Sequence, residues 1–274
     1  MKLLIENWRK YLNEDREYSN QEKILDLLTN EDLKDVRWQS YNPNKSTERN
    51  GVRNYLLECA KIEFSRLKRQ LDSSINNPGN VESHCLLGAV RKGWLGIEPI
   101  NEFIDQKIRT NALSTLVNSG GVNGPWYLGR PIMIRENDTS KELFNGDMGI
   151  CSSLDPVCVR FNTLNRDQNL SVTKSVDEAA STAAMGLGWK EIPASSLPSF
   201  ELGYALTIHK SQGSEYDHVY VILSPTDSLL HTRELLYTAV TRARISVTIL
   251  ATEVQLEKAV STTKMRRSGL QSKL

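Results

Sequence analysis

The chain has 274 residues, of which 39% are hydrophobic and 24% are charged. Chains with this composition fold as soluble globular proteins of one or two domains, so disorder and collagen-like repeats are excluded. The 34 Lys and Arg residues nearly balance the 33 Asp and Glu residues. This balance excludes a strongly basic nucleic-acid coat protein, but it allows a local basic groove because a sum hides its distribution.

The cysteine spacing and the N-terminus predict a reduced, cytoplasmic protein. Cys59, Cys85, Cys151 and Cys158 form no C-x-x-C pair, so we expect no zinc knuckle and no other metal site. The N-terminus carries charges and lacks an apolar core run, which is not typical of a signal peptide. No stretch approaches the roughly 18 apolar residues of a membrane span, so we expect no membrane partner.

The first two thirds of the chain divide into three kinds of segment. Residues 1–80 are highly charged and are predicted to form an N-terminal helical segment, with a polar loop at 40–50 and a helix from Val52 to Leu71. The apolar run at 84–90 predicts a buried strand of a parallel sheet. Residues 129–196 contain strand-like runs separated by turn residues, which predicts a small β-rich insert.

The rest of the chain alternates between strand and helix. Buried strands are predicted at 218–224 and 246–252, and the helix RELLYTAVTRA between them has Thr232 as its N-cap. Such alternation is typical of an α/β domain in which a parallel sheet has helices on both faces. We therefore predict that the β-rich insert interrupts an α/β domain. His84 and His218 flank apolar strands, and their simplest interpretation is structural.

The densest polar constellation is TIHKSQGSE, which follows a strand-like run. We expect it to lie at the carboxyl edge of a parallel sheet, where open α/β sheets bind ligands. Thr207, His209 and Lys210 offer donors for phosphate oxygens. Gly213 allows close approach of a backbone, and Glu215 can accept a hydrogen bond from a ribose hydroxyl. A polar loop that binds nothing has the same composition, so both interpretations stay open at this point.

A second constellation, TAVTRAR, carries Arg242 and Arg244 at the end of a predicted helix. Residues two apart on a helix do not share a face, so at most one of these arginines can be directed at a given site. An arginine at the γ-phosphate of a nucleotide would stabilise the charge that develops in phosphoryl transfer. A solvated helix face is the alternative interpretation.

These two segments resemble motifs V and VI of superfamily 1 DNA helicases, and the resemblance is closest to the RecD-like branch, the exodeoxyribonuclease V alpha subunits. LLGAVRKGWLGIEPIN, GRPIMIREND…LFNGDMGI and the C-terminal MRRSGL also resemble that branch, in the same order. The resemblance covers residues 80–270. It implies a second RecA-like domain, called 2A, at 81–117 and 200–274. It also implies an SH3-like β-barrel, called 2B, inserted at 129–196.

The resemblance implies a function and three groups of site residues. The intact family enzyme is an ATP-dependent helicase of recombinational DNA repair, which binds ATP and Mg²⁺ and moves 5′ to 3′ on single-stranded DNA. The implied groups are the DNA-binding Thr207, His209 and Lys210, the coupling residue Gln212, and the nucleotide-binding Gly213, Glu215 and Arg242, of which Arg242 is catalytic.

The 274 residues lack the motifs that ATP hydrolysis needs. They contain no Gly-Lys pair and therefore no G-x-x-x-x-G-K-[ST] phosphate loop, and no acidic Mg²⁺ motif is recognisable. We therefore expect the first RecA-like domain to be absent and the chain to be the C-terminal half of such a helicase. One arginine contributes about 1.5–3 kcal/mol, whereas millimolar binding needs about 4 kcal/mol. Alone, the chain should bind no cofactor tightly and should not hydrolyse ATP.

Besides a decayed remnant with no activity, two interpretations of such a half remain open. In the first, the chain is a helicase portion that works with the missing N-terminal half or with RecB- or RecC-like subunits. In the second, it is a non-enzymatic remnant that binds DNA or a protein partner. Either interpretation predicts weak binding of the isolated chain to single-stranded DNA.

Overall fold

The computed structural model describes residues 35–71, 82–115, 122–162, 189–226 and 228–263. In chain order the elements are β1 (Val36–Gln39), α1 (Ser46–Leu71), β2 (His84–Gly88), α2 (Ile97–Thr115), β3 (Val122–Asn123), β4 (Trp126–Tyr127), β5 (Pro131–Ile134), β6 (Met148–Leu154), β7 (Val157–Asn162), β8 (Trp189–Pro193), β9 (Phe200–Leu202), β10 (Ala205–Thr207), β11 (Tyr216–Ile222), α3 (Arg233–Val240), β12 (Ala243–Leu250) and α4 (Glu253–Ser261). None of the helices within these ranges is long and apolar enough to cross a bilayer.

The described residues fall into two compact units. The first is formed by the described parts of Met1–Ala60, Glu82–Ile100 and Ala205–Leu274. The second is formed by the described parts of Lys61–Val81 and Asn101–Tyr204. The assignment of 81–117, 129–196 and 200–274 to domains 2A and 2B stays a prediction.

The first unit is built on a five-stranded sheet with the order β1-β12-β11-β2-β10. Every pairing in it is parallel, which confirms the predicted α/β class with a parallel sheet and helices. In β2 the consecutive residues Leu86 and Leu87 are both buried, so atoms cover both faces of the sheet at this strand. Thr232 caps α3 as expected, because its side-chain oxygen accepts a hydrogen bond from the Leu235 amide.

The prediction that residues 1–80 form a helical segment is wrong at Val36–Gln39, which form strand β1. Val36 lies opposite Val247 of β12, and the indole nitrogen of Trp38 donates to the carbonyl of Ala251 at 3.1 Å. Pairing with a distant strand therefore makes this segment extended, against its local sequence pattern. Helix α1 begins at Ser46 rather than at Val52, so the end of the expected loop at 40–50 is its first turn. Residues 1–34 and 72–81 lie outside the described ranges.

The second unit contains a separate antiparallel sheet with the order β8-β7-β6-β5-β9. Its apolar core consists of Trp126, Ile132, Ile134, Leu143, Cys151, Val159, Phe161 and Ile192. This agrees with a β-rich block that has its own core. The block reaches past residue 196, because β9 pairs with β5 through residue 202. The closure of this sheet into an SH3-like barrel stays a prediction.

A charged pair with little exposure also anchors the second unit. The Arg130 guanidinium donates to both carboxylate oxygens of Asp105, at 2.9 and 3.2 Å. The Tyr127 hydroxyl donates to Asp105 at 2.7 Å and contacts the Tyr204 hydroxyl, while the Trp126 ring lies 5.2 Å from the guanidinium carbon. Burial raises the pKa of Tyr204 well above its ordinary value, so its phenol stays neutral.

Candidate nucleotide and nucleic-acid site

The candidate DNA-binding residues lie at the carboxyl edge of the parallel sheet. Strand β10 ends at Thr207, which lies opposite Gly88, the last residue of β2. A 3-10 turn then spans Ile208–Ser211, and the buried Ser211 hydroxyl fixes it by donating to the Ile208 carbonyl at 2.8 Å. Because Ile208 and Ser211 are buried, His209 is left exposed and Lys210 half-buried at this edge.

The residues that follow lead to the opposite edge of the sheet. Gly213 has a positive φ of 86°, and Tyr216 begins β11, where it lies opposite Ala243. The carboxyl end of β10 and the amino end of β11 are at opposite edges because the strands are parallel. Ile222 of β11 lies level with Gly88, so the two ends are about 20 Å apart at roughly 3.3 Å per residue.

Segment 208–215 therefore crosses the sheet from edge to edge. This differs from the expectation that the whole TIHKSQGSE constellation lies at the carboxyl edge. Thr207 and His209 do lie there, but Gly213 and Glu215 lie near the amino edge. Gln212 is exposed between the two groups, and its backbone N–H donates to the backbone carbonyl of His209 at 3.3 Å.

Arg242, in the segment TAVTRAR, contacts the segment TIHKSQGSE at the amino edge of the sheet. Helix α3 ends at Val240, so Arg242 lies in the turn after it rather than on the helix. Its Nη1 donates to the Ser214 carbonyl at 3.2 Å, and its Nε donates to the Thr238 carbonyl at 3.2 Å. Because Ser214 lies between Gly213 and Glu215, the structure brings the three candidate nucleotide-binding residues together.

Arg244 is engaged elsewhere, and neither arginine lies on the helix on which both were predicted. It lies in β12 and forms an ion pair with the Asp217 carboxylate at 3.0 Å. Asp217 also accepts hydrogen bonds from the Ser83 amide at 2.8 Å and the Ser83 hydroxyl at 2.9 Å. Burial raises the pKa of Asp217, but the bonds from Ser83 and the charges of Arg244 and His218 outweigh burial and leave it below its ordinary value.

Sequence reasoning missed Asp217 and Ser214. Asp217 ties the start of β11 to the residue before β2 and to β12, and Ser214 supplies a backbone oxygen to Arg242. The sequence shows Asp217 as an acidic residue just after TIHKSQGSE, but it gives no indication of its partners. A backbone carbonyl leaves no signal in the sequence.

The comparisons with known proteins point to helicases. Residues 202–250 match the UvrD-like helicase C-terminal domain. The RecBCD enzyme subunit RecD of Haemophilus influenzae is 28% identical over 270 residues, which cover 98% of this chain and 31% of that protein. The subunit of the same name from Mycolicibacterium smegmatis is 34% identical over 194 residues, which cover 71% of this chain and 30% of that protein.

Two further matches cover less of this chain. The ATP-dependent RecD2 DNA helicase of Deinococcus radiodurans is 28% identical over 173 residues, which cover 62% of this chain and 20% of that protein. Among solved structures, Bacteroides Pif1 bound to single-stranded DNA aligns with a TM-score of 0.32 and 17% identity, over 64% of this chain and 42% of that one.

The matches cover most of this chain but only part of each relative. The chain spans about a third of the length of the RecD subunits that it matches. The matched range 202–250 includes both TIHKSQGSE and TAVTRAR, the two segments that Arg242 joins. The chain is therefore similar to the UvrD-like helicase C-terminal domain over residues 202–250 and to RecD subunits over most of its length.

Proposed function

We propose that the chain forms the second motor domain of an ATP-dependent 5′-to-3′ DNA helicase of the RecD type, which acts in recombinational DNA repair. The observation that carries the proposal is the contact of Arg242 with the Ser214 carbonyl at 3.2 Å. It places one arginine beside a segment whose other end holds Thr207 and His209 at the far edge of the sheet. A motor needs this arrangement, because a change at the nucleotide must reach the DNA.

The carboxyl edge is proposed to bind the DNA backbone. Thr207, His209 and Lys210 supply hydrogen-bond donors and one fixed cation in a single turn. Contacts of this kind read phosphates and carry no sequence information. Each phosphate neutralised on a single strand changes the slope of log K against log salt by about −0.7. With Lys210 and two or three basic residues from 264–274 each neutralising a phosphate, the slope is about −2 to −3, and binding is micromolar or weaker.

The amino edge is proposed to form one wall of the nucleotide site. A Cβ atom placed on Gly213 would meet no atom within 4 Å, so the space beside this residue is open. Arg242 is half-buried and can direct a guanidinium N–H at a phosphate oxygen, and Glu215 is exposed beside it. ATP with Mg²⁺ would supply the reactive γ-phosphate. Arg242 is proposed to stabilise the charge that develops there, which makes it the catalytic residue.

Gly213, Glu215 and Arg242 can form one side of a nucleotide site, but they do not form a loop that surrounds the phosphates. Arg242 as a single charged donor is worth about 1.5–3 kcal/mol, below the roughly 4 kcal/mol of millimolar binding. A further segment or partner must therefore supply the phosphate loop. We propose the N-terminal half of the helicase for this role, with RecB- or RecC-like subunits as further partners. The four free cysteines fit a cytoplasmic setting, where thiols stay reduced.

The test measures binding of a fluorescent single-stranded oligonucleotide by anisotropy across a salt series. We expect His209→Ala to weaken binding and Lys210→Ala to reduce the slope by about 0.7 as well. Arg242→Ala should leave DNA binding unchanged, because Arg242 lies at the opposite edge. Lys190→Ala is the matched control for loss of a cation, since Lys190 lies in the second unit and pairs with Glu142.

Other outcomes would contradict the proposal. If Arg242→Ala weakens DNA binding as much as Lys210→Ala does, the division into two edges is wrong. If only deletion of residues 264–274, the basic stretch that follows α4, weakens binding, the chain is a remnant with a general basic patch. The chain alone should show no ATP hydrolysis with or without DNA, and stimulated turnover that Arg242→Ala abolishes would contradict the need for a second segment.

A further inference from the structure

Two histidines and a glutamate lie together at the amino edge of the parallel sheet. His84 of β2 and His218 of β11 are register partners, and their rings stack with centroids 4.5 Å apart. The Oε2 atom of Glu82 lies 2.8 Å from the Nε2 atom of His218. One ligand atom from each of the three residues lies within 4.8 Å of the other two.

Hydroxyl groups orient both imidazole rings. The Nδ1 atom of His218 lies 2.7 Å from the Ser246 hydroxyl, and the Nδ1 atom of His84 lies 3.1 Å from the Tyr220 hydroxyl. A hydrogen bond at Nδ1 fixes the rotation of the ring, while Nε2 of His218 donates to the Glu82 carboxylate, and a bound ion would replace that proton. Metal-binding histidines in proteins are oriented in this way by outer partners.

The cluster opens onto a cavity of about 470 Å³. His84, His218, Tyr220 and Ser246 line it together with Arg37, among others. Both histidines are half-buried, so an ion can reach them and a water molecule can join them.

We propose that Glu82, His84 and His218 bind one divalent transition-metal ion of the Zn²⁺ or Ni²⁺ class, with water at the fourth position. Imidazole and carboxylate ligands suit these ions. A tetrahedral site with bonds near 2.1 Å separates its ligand atoms by about 3.4 Å, so the side chains must close by roughly 1 Å. The bound ion would join the starts of β2 and β11. This departs from the expectation of no metal site and does not depend on the proposed helicase role.

An ion pair between His218 and Glu82 would explain their short contact without a metal. It would not need His84, whose ring stacks on His218 and is oriented by its own hydroxyl partner. The two explanations therefore differ in what His84→Ala does. The ion pair alone predicts that the chain binds no Zn²⁺ here, with or without His84, whereas the metal site predicts binding that His84→Ala weakens at least 10-fold.

The experiment titrates the metal-free full chain with Zn²⁺ by calorimetry and with Co²⁺ by visible absorption. We expect one equivalent to bind and the Co²⁺ spectrum to have the intensity of a four-coordinate site. His84→Ala and His218→Ala should each weaken binding at least 10-fold, and Tyr220→Phe should weaken it roughly 10-fold through the orientation of His84. His209→Ala is the matched control and should leave metal binding unchanged.

Glu82→Gln keeps the test valid if a histidine variant fails to fold, because it removes the charge and retains the shape. It should lower Zn²⁺ affinity about 10-fold, while the circular dichroism of the metal-free chain stays unchanged. Absence of binding at micromolar Zn²⁺ would overturn the proposal. So would full binding in the His84→Ala/His218→Ala double variant, because the ion would then be held elsewhere, for example by thiols.

Discussion

Replacement of Asp217 by alanine is expected to loosen the amino edge of the parallel sheet. The Asp217 carboxylate accepts two hydrogen bonds from Ser83 and pairs with Arg244, and its side chain is only 18% exposed. Hydrogen bonds to a charged group contribute about 1.5–3 kcal/mol each, but both come from one residue and will not add fully. The Arg244 side chain is 54% exposed, so its ion pair adds at most about 1 kcal/mol.

We therefore expect Asp217→Ala to lower the free energy of unfolding by roughly 2–4 kcal/mol at pH 7. Urea unfolding followed by circular dichroism measures this change. Hydrogen exchange read by mass spectrometry locates it, and the peptides that cover β2 and β11 should exchange faster. Those that cover β5 to β7 should not change, because those strands lie in the second unit.

A double-mutant cycle separates the contributions. The coupling of Asp217 with the Ser83 hydroxyl, measured with Ser83→Ala, should exceed its coupling with Arg244, measured with Arg244→Ala. Glu215→Ala is the control, since this exposed carboxylate two residues away should change stability by less than about 0.5 kcal/mol. A loss below about 0.5 kcal/mol for Asp217→Ala, or a larger coupling with Arg244 than with Ser83, would refute the reasoning.

Two further predictions concern backbone conformation and thiol chemistry. Gly213→Ala should lower the free energy of unfolding by about 1–2 kcal/mol, because φ is +86° at this residue. Gly51→Ala should raise it by about 0.5–1 kcal/mol, because Gly51 lies in helix α1 with open space around it. Equal effects of the two substitutions in urea unfolding would contradict this reasoning. Burial raises the pKa of the Cys59 and Cys151 thiols to about 11, so at pH 8 roughly 0.1% of each is thiolate. Iodoacetamide should therefore modify the half-buried Cys158 first, and mass spectrometry that finds Cys59 modified earlier would show the burial to be wrong.

Apolar runs in the sequence identified the strands of the sheet centre. Strands β2 and β11 each carry several consecutive apolar residues, and β12 ends in the largely apolar VTIL, which is the pattern of a buried parallel strand. The N-cap Thr232 was predictable because a threonine precedes an amphipathic helix. These features depend on local sequence alone.

Features set by distant contacts could not be predicted in this way. Strand β1 has a charged and mixed sequence, and its extended form depends on pairing with β12. The division of TIHKSQGSE between two sheet edges depends on where β11 begins, and spacing along the chain does not reveal that. The His84–His218 pair likewise arises from strand register, since the two residues are far apart in sequence.

The position of β1 in the sheet also constrains how the protein is made. Trp38 bonds to Ala251, a residue 213 positions further along the chain. At about 5–20 residues per second, a ribosome needs roughly 10–40 s to synthesise the intervening chain. During that time β1 has no partner strand, whereas every pairing of the antiparallel sheet is complete once residue 202 has emerged. The second unit can therefore fold during synthesis, while the parallel sheet can form only after its last strand, β12, has been made. Chaperones that shield unpaired strands should matter most between the synthesis of β1 and that of β12.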